Sequence, residues 1–357
     1  MKREPEKRTR GQLIAELLSA SWRDNAEEPA ITAEELEEIK PLLLGSGAAA
    51  LAWRRIRGTD LQHAAPAEDL ERAFHRNLIE TTFQEQQIEK VFGLLRGAGV
   101  EAILVKGWAV ARCYPERGLR PCGDIDLIIH PEQRDAAREV LLSEEGKRYF
   151  VDFKHEEFEE LDVHGWDELY ARSCAVQLGA ESIRLLSTED HLRFLCIHLL
   201  RHGAWRPLWL CDVAVMLETR SSEFDWERFS GKGKREADWV LCALGLAHKL
   251  LGARVSDTPA GARASKIPAW LVQAVLKQWE KPCLIDHLPP ELIMVSLRHP
   301  SRVVKALKAR WPDPIEATIR MGGPMNGLPR LPFQVGGYVA KTKHFMTRLP
   351  KLVREQE

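Results

Sequence analysis

The sequence predicts an α+β protein: a small mixed-sheet core flanked by N-terminal helices and a C-terminal helical domain. Three observations carry this. Apolar residues recur at three- and four-residue steps up to Gly97. Between about residues 100 and 186 short apolar runs suited to strands alternate with short helical patterns. After Ser187 the helical period returns. The chain therefore divides into an N-terminal helical region (1–98), an α/β core (99–186), a helical domain (187–284) and a basic, Pro/Gly-rich extension (285–357).

In chain order, Leu13, Leu17 and Leu18 form the first stripe, and Thr32 stands where a cap precedes the helix containing Glu35 and Leu36. From Glu68 to Gly97, Phe74, Leu78 and Thr81, then Ile88, Phe92 and Leu95, mark one long helix; Gly97 and Gly99 stop it. Ala102–Val105 reads as a buried strand that turns at Lys106-Gly107 into a short helix ending near Tyr114-Pro115. Asp124–Ile129 reads as a second strand, Glu132–Leu142 as a helix and Phe158–His164 as a third strand. Ser187-Thr188-Glu189-Asp190 opens a helix over 188–203, with more at 206–220, 225–230, 235–252 and 268–280. The Pro- and Gly-rich stretch Trp311–Leu331 reads as irregular.

At 357 residues the chain is long enough for two or three compact units, and its 45% hydrophobic and 29% charged residues are those of a globular protein. A net charge of −1 argues neither for bulk attraction to nucleic acid nor for an acidic substrate-mimicking surface, although the segment from Arg302 onward is locally basic. Seven cysteines with no CxxC pair fit a reducing cytoplasm rather than a disulfide framework or a thiolate zinc site. Met1–Arg10 leads into no apolar run of the kind a secretory signal has, and no stretch is long and apolar enough for a bilayer.

The chemistry centres on Gly123-Asp124-Ile125-Asp126. On a strand Asp124 and Asp126 project to one face and Ile125 and Leu127 to the other, so two carboxylates come within one ion's reach. Hard divalent cations take oxygen ligands, and such pairs together with substrate phosphates are their usual setting. The Asp-x-Asp spacing alone is weak, since roughly one occurrence is expected by chance in a chain this long; the alternative is a pair of solvated turn residues. Two neighbours add weight. Ile103–Gly107 runs from strand to helix, a geometry that aims backbone N–H groups at an anion. Phe158–His164 puts Glu160, Asp162 and His164 on one face, where a third carboxylate could bind the ion or accept a proton.

Leu104-Val105-Lys106-Gly107, Tyr114-Pro115, Arg120, Gly123-Asp124-Ile125-Asp126-Leu127 and Asp162-Val163-His164 together resemble an uncharacterised bacterial nucleotidyltransferase-like family of the DNA polymerase beta superfamily. His198, His202-Gly203-Ala204-Trp205, Trp209–Ala214 and Asp225-Trp226 are similar to that family's helical second half, and the resemblance spans about residues 40 to 255. It implies a nucleotidyltransferase core in which Asp124, Asp126 and Asp162 hold two Mg2+ ions, with Mn2+ as a possible substitute. It further implies that Lys106, Gly107, Arg120 and Gly123 contact the nucleotide, and it selects Asp162 over Glu160. Lys106-Gly107 stands where typical members have Gly-Gly or Gly-Ser, so a lysine point charge replaces a serine contact to phosphate.

Several residues keep two readings. Lys106 contacts phosphate or ends the strand in solvent, and Arg120 clamps phosphates or lies in an exposed loop. His164 touches substrate, orients Asp162, or is structural. His198, His202 and Asp212 support the cleft or are interhelical polar contacts. Trp205, Trp209, Trp226 and Trp239 read as core before base-stacking platform, and Cys113 and Cys122 as packing residues. The leading functional expectation is transfer of a nucleoside monophosphate from a nucleoside triphosphate to an acceptor, which could be a small molecule, peptide, protein or RNA, with release of pyrophosphate. The alternatives are a catalytically silent nucleotide-sensing or partner-binding protein on the same fold, and an RNA-binding module using Arg302–Arg354.

Overall fold

The computed structural model describes residues 7–153, 165–282 and 311–341. Helices α1 (Arg10–Leu18), α2 (Ala33–Ser46), α3 (Ala49–Ile56) and α4 (Ala67–Gly97) lead into the sheet. Thr9 with Gln12 and Thr32 with Glu35 form reciprocal capping boxes at the starts of α1 and α2, each occupying two backbone donors that the helix itself leaves over.

Strands β1 (Ala102–Val105), β2 (Ile125–Ile129), β3 (Val151–Phe153), β4 (Cys174–Leu178) and β5 (Glu181–Leu185) form one mixed sheet in the order β3-β2-β1-β5-β4. β1 runs antiparallel to β2 and parallel to β5, β2 runs parallel to β3, and β4 is antiparallel to β5. Between them lie α5 (Gly107–Ala111), α6 (Arg134–Leu142) and α7 (Trp166–Arg172). The helical half follows as α8 (Thr188–Arg201), α9 (Pro207–Thr219), α10 (Trp226–Ser230), α11 (Lys234–Leu251), α12 (Ala260–Ala264), α13 (Ala269–Trp279) and α14 (Pro314–Arg320). No described helix is long and apolar enough to cross a membrane.

The apolar residues fall into two cores, and the alternation of strand side chains assigns each strand face to one of them. Ile103 and Val105 of β1 and Ile128 of β2 face a large core shared with the helices. Ala102, Leu104, Ile125, Leu127 and Ile129 face a smaller core closed by α4 and α6. Every residue of β1 and β2 is buried as a result. Asp124 and Asp126 share parity with Ile128, so they project on the face turned toward the helical half.

The expected strand at Phe158–His164 lies outside the described residues. Three observed features go beyond the sequence reading: the short strand β3, which pairs with β2 on the side away from β1, is the first. The β4–β5 hairpin has no counterpart among the expected strands; it turns through Gly179-Ala180, with Gly179 at φ 56°, a conformation that suits a residue without Cβ. Within the segment expected to be irregular, α14 forms because Asp313 accepts hydrogen bonds from the amides of Ile315 and Glu316 and Pro314 takes the first helical position.

Gly118 sits at φ 84° against α4, where Asn77 Nδ2 donates to its carbonyl at 3.0 Å. A Cβ there would lie 2.7 Å from Leu78 Cγ. Gly118→Ala should therefore cost about 2 kcal/mol or more in urea unfolding. Gly97→Ala, in the last turn of α4 with nothing within 4 Å of the added carbon, should be neutral or stabilising by about 0.5–1 kcal/mol.

Candidate metal and nucleotide site

At the end of β1 the chain turns sharply. Lys106 has φ 52° and ψ −144°, and Gly107 follows at φ 35°. A side chain at positive φ is costly and persists only where its surroundings over-determine it. Here they do so from both sides. The Lys106 amide donates to Nε2 of His191 at 3.1 Å, and its ammonium lies 3.1 Å from Asp126 Oδ1. Only 11% of the Lys106 side chain is exposed, so this lysine is not a solvated strand end.

His191 enters from the first turn of α8 and is buried. Burial, reinforced by the charges of Arg120 and Lys106, pushes its imidazolium down to about 3 from an ordinary 6.5. The ring is neutral near pH 7, and because Nε2 accepts the Lys106 amide, its proton resides on Nδ1.

Asp126 is the first charged residue of β2 and is 4% exposed. Its cross-strand partner is Val105 on one side and Asp152 on the other. Register partners on neighbouring strands point to the same face, so β3 delivers Asp152 beside Asp126. Asp124 precedes the strand, with its carbonyl accepting from Gln84 Nε2 at 3.3 Å. One carboxylate oxygen from each of Asp124, Asp126 and Asp152 lies within 4.8 Å of the others. Asp124 and Asp152 are exposed, so the group opens to solvent. Three hard oxygen donors at this spacing suit a divalent ion such as Mg2+ better than a soft metal.

Of the other expected site residues, Gly107 lies close to this group, an added Cβ there standing 3.7 Å from the Asp124 carbonyl, and Gly123 faces open space. Asp162 and His164, together with Glu160, lie outside the described residues. Arg120, which the sequence leaves as either a phosphate clamp or an exposed loop residue, is turned to Asp212. Its Nε and Nη2 donate to the Asp212 carboxylate at 2.9 and 3.0 Å, and Nη1 donates to the Pro121 carbonyl at 3.0 Å. Both side chains are buried, and a buried guanidinium requires a counter-charge. Tyr114 donates its hydroxyl to the same carboxylate at 2.9 Å, and burial holds that phenol well above its usual range.

His198 and His202 lie outside the carboxylate group. Their rings pack with Trp209 at centroid distances of 4.6 and 5.4 Å, and Trp205 meets Trp209 at 5.3 Å. Trp239 is buried with its indole N–H on the Gly323 carbonyl, and Trp226 packs with Phe224 and Phe229. Burial pushes the Cys113 and Cys122 thiols up, as expected of packing residues. Two residues of this candidate group, Asp152 and His191, give little signal in the sequence. Asp152 sits on a strand of three residues, too short to show alternation, and His191 gives no sign in sequence that it meets the end of β1.

The model of a family described as uncharacterised nucleotidyltransferases matches residues 32–252. The chain belongs to this family. The matched span of the nucleotidyltransferase family runs from the cap of α2 to the end of α11 and contains Lys106, Asp124, Asp126, Asp152, His191 and the Arg120–Asp212 pair. Membership carries a general nucleotidyl-transfer role. An antigenic nucleotidyltransferase-like protein from Paracoccidioides brasiliensis, known as a crystal structure, is similar over 49% of this chain and 94% of its own at 15% identity and a TM-score of 0.34, a likeness too slight to bear on the site. No curated protein matches the chain.

Two outcomes follow from the buried groups. Asp212→Asn leaves the Arg120 guanidinium without its counter-charge and should cost about 3–5 kcal/mol in chemical denaturation. His191 titrates near 3 when folded and 6.5 in its ordinary state, so the unfolded chain takes the proton first on acidification. Its contribution is complete above about pH 6.5 and declines as pH falls toward 3. His191→Gln, which keeps an acceptor for the Lys106 amide without titrating, should flatten that part of the stability–pH curve in urea melts.

Proposed function

We propose that this chain is a metal-dependent nucleotidyltransferase that moves a nucleoside monophosphate from a nucleoside triphosphate to an acceptor hydroxyl or similar group. The observation that carries this reading is the convergence of Asp124, Asp126 and Asp152 beside Lys106, in a member of a nucleotidyltransferase family. These carboxylates would hold Mg2+, two ions in the working complex, with Mn2+ as a substitute. When bound, such ions offset phosphate charge and favour both the attacking and the leaving oxygen.

The acceptor oxygen forms a bond to the α-phosphorus, the bond from that phosphorus to the bridging oxygen breaks, and pyrophosphate leaves with the electron pair. The acceptor's proton passes to a carboxylate oxygen of the third aspartate. Geometry offers Asp152 for this role and the family resemblance offers Asp162. Lys106 supplies a point charge to the triphosphate in place of a serine hydroxyl. The Arg120–Asp212 pair acts through position, by fixing the loop that leads to Asp124. Such chemistry suits a protein with free thiols working in a reducing cytoplasm.

The test is label transfer from each α-labelled triphosphate in the presence of Mg2+ and a cell extract that supplies acceptors. The wild type should label an acceptor only with Mg2+ present, and Asp124→Asn combined with Asp126→Asn should fall to background. Equal labelling by both proteins would sink the enzymatic reading in favour of a silent nucleotide sensor. Asp152→Asn and Asp162→Asn, assayed side by side, identify the third carboxylate by which of them loses activity.

A further inference from the structure

One cation already stands in the carboxylate group. Lys106 Nζ is at hydrogen-bond distance from Asp126 Oδ1, the most buried oxygen-bearing side chain of the three aspartates. This placement is built by the backbone rather than by a chance rotamer. Lys106 leaves β1 next to Val105, the register partner of Asp126, and its positive φ is held by the hydrogen bond to His191. The ammonium is therefore directed along the sheet into the aspartates.

Charge sets what else can enter. Three carboxylates and one ammonium, counted among the described residues, leave a net of −2, which one divalent ion neutralises. A second divalent ion would have to share Asp126 with the ammonium. Mg2+ binds oxygen at about 2.0–2.1 Å, so the two cations would lie a few ångströms apart. Like charges at that separation repel strongly even at an effective dielectric constant of about 20.

We propose that Lys106 acts as a removable first cation of this centre, holding the place of the second divalent ion until a triphosphate draws its ammonium away. The inference rests on the metal-binding reading above and deepens it. Without nucleotide the protein takes one divalent ion. A polyphosphate offers the ammonium a better partner, the ammonium leaves Asp126, and the second ion enters. Metal and triphosphate binding are then positively coupled, each tightening the other by the same factor. The Lys106–Asp126 ion pair thus prevents the full metal set from assembling before the substrate arrives.

The test is titration of the full-length chain with Mn2+ alone, followed by calorimetry and by the electron paramagnetic signal of the free ion. The wild type should bind one ion. Lys106→Met and Lys106→Gln, which remove the charge, should bind a second ion or bind the first at least tenfold more tightly, and Lys106→Arg should resemble the wild type. Equal stoichiometry and affinity in the wild type and the neutral variants overturn the inference while leaving the metal reading intact. No Mn2+ binding by any of these proteins overturns both. A readout on the unaltered protein keeps the question open to refutation if the neutral variants do not fold. Excess Mn2+ should force the second ion in and free the amine, so reductive methylation of Lys106, followed by mass spectrometry, should accelerate; unchanged protection overturns the inference.

Discussion

Two opposite charges withdrawn from water fix how the connection into β2 lies against the helical half of this molecule. Arg120 belongs to the long irregular connection between α5 and β2, and Asp212 to the middle of α9. A segment without a ladder or helix of its own has to satisfy its polar groups elsewhere. This one does so on α4 and α9: Asn77 binds the Gly118 carbonyl, Glu85 binds Arg117, Asp212 binds Arg120 and Tyr114, and Gln84 binds the Asp124 carbonyl. The position of Asp124 is thus set by two helices as much as by the strand it precedes. The buried pair is expensive to desolvate, and what it contributes is orientation rather than net stability.

A second dependence runs through the end of β1. The parallel pairing of β1 with β5 brings the start of α8 to the point where β1 ends, and with it His191. A neutral acceptor is required there, because an imidazolium would face both the Lys106 amide and two nearby cations. The buried ring, the strained lysine and Asp126 form one chain of contacts that crosses from the helical half, through the tip of β1, into the carboxylate group. Local backbone strain is often found where a side chain has to be aimed, and here it aims an ammonium.

How much of this can be read from the sequence depends on what each feature rests on. The period of β1 and of the helices from α8 to α11 is written in consecutive residues, and the structure places these elements within about two residues of the sequence reading. The pairing of Asp124 and Asp126 on one face follows from the geometry of any strand. Asp152 does not follow, since its role depends on which strand lies beside β2 and in what register. Arg120 could not be assigned locally either. Its partner lies 92 residues away, and a loop arginine next to a proline reads as exposed until the helix that covers it is in place. The same holds for α14, where one aspartate cap outweighs a background of proline and glycine.

Helix α4 has a consequence for how the molecule holds together. Its 31 residues span about 46 Å, with Ala67, Leu70 and Ala73 sunk in the helical core and Ile88, Val91, Phe92 and Leu95 in the core beneath the sheet. Each core shares a wall with the other, through this helix and through the two faces of β1 and β2. Neither can be lost alone without exposing apolar surface belonging to its neighbour. Segments that read as separate along the sequence are thus tied through shared walls, and the carboxylate group, assembled from the ends of neighbouring strands, is backed by both cores.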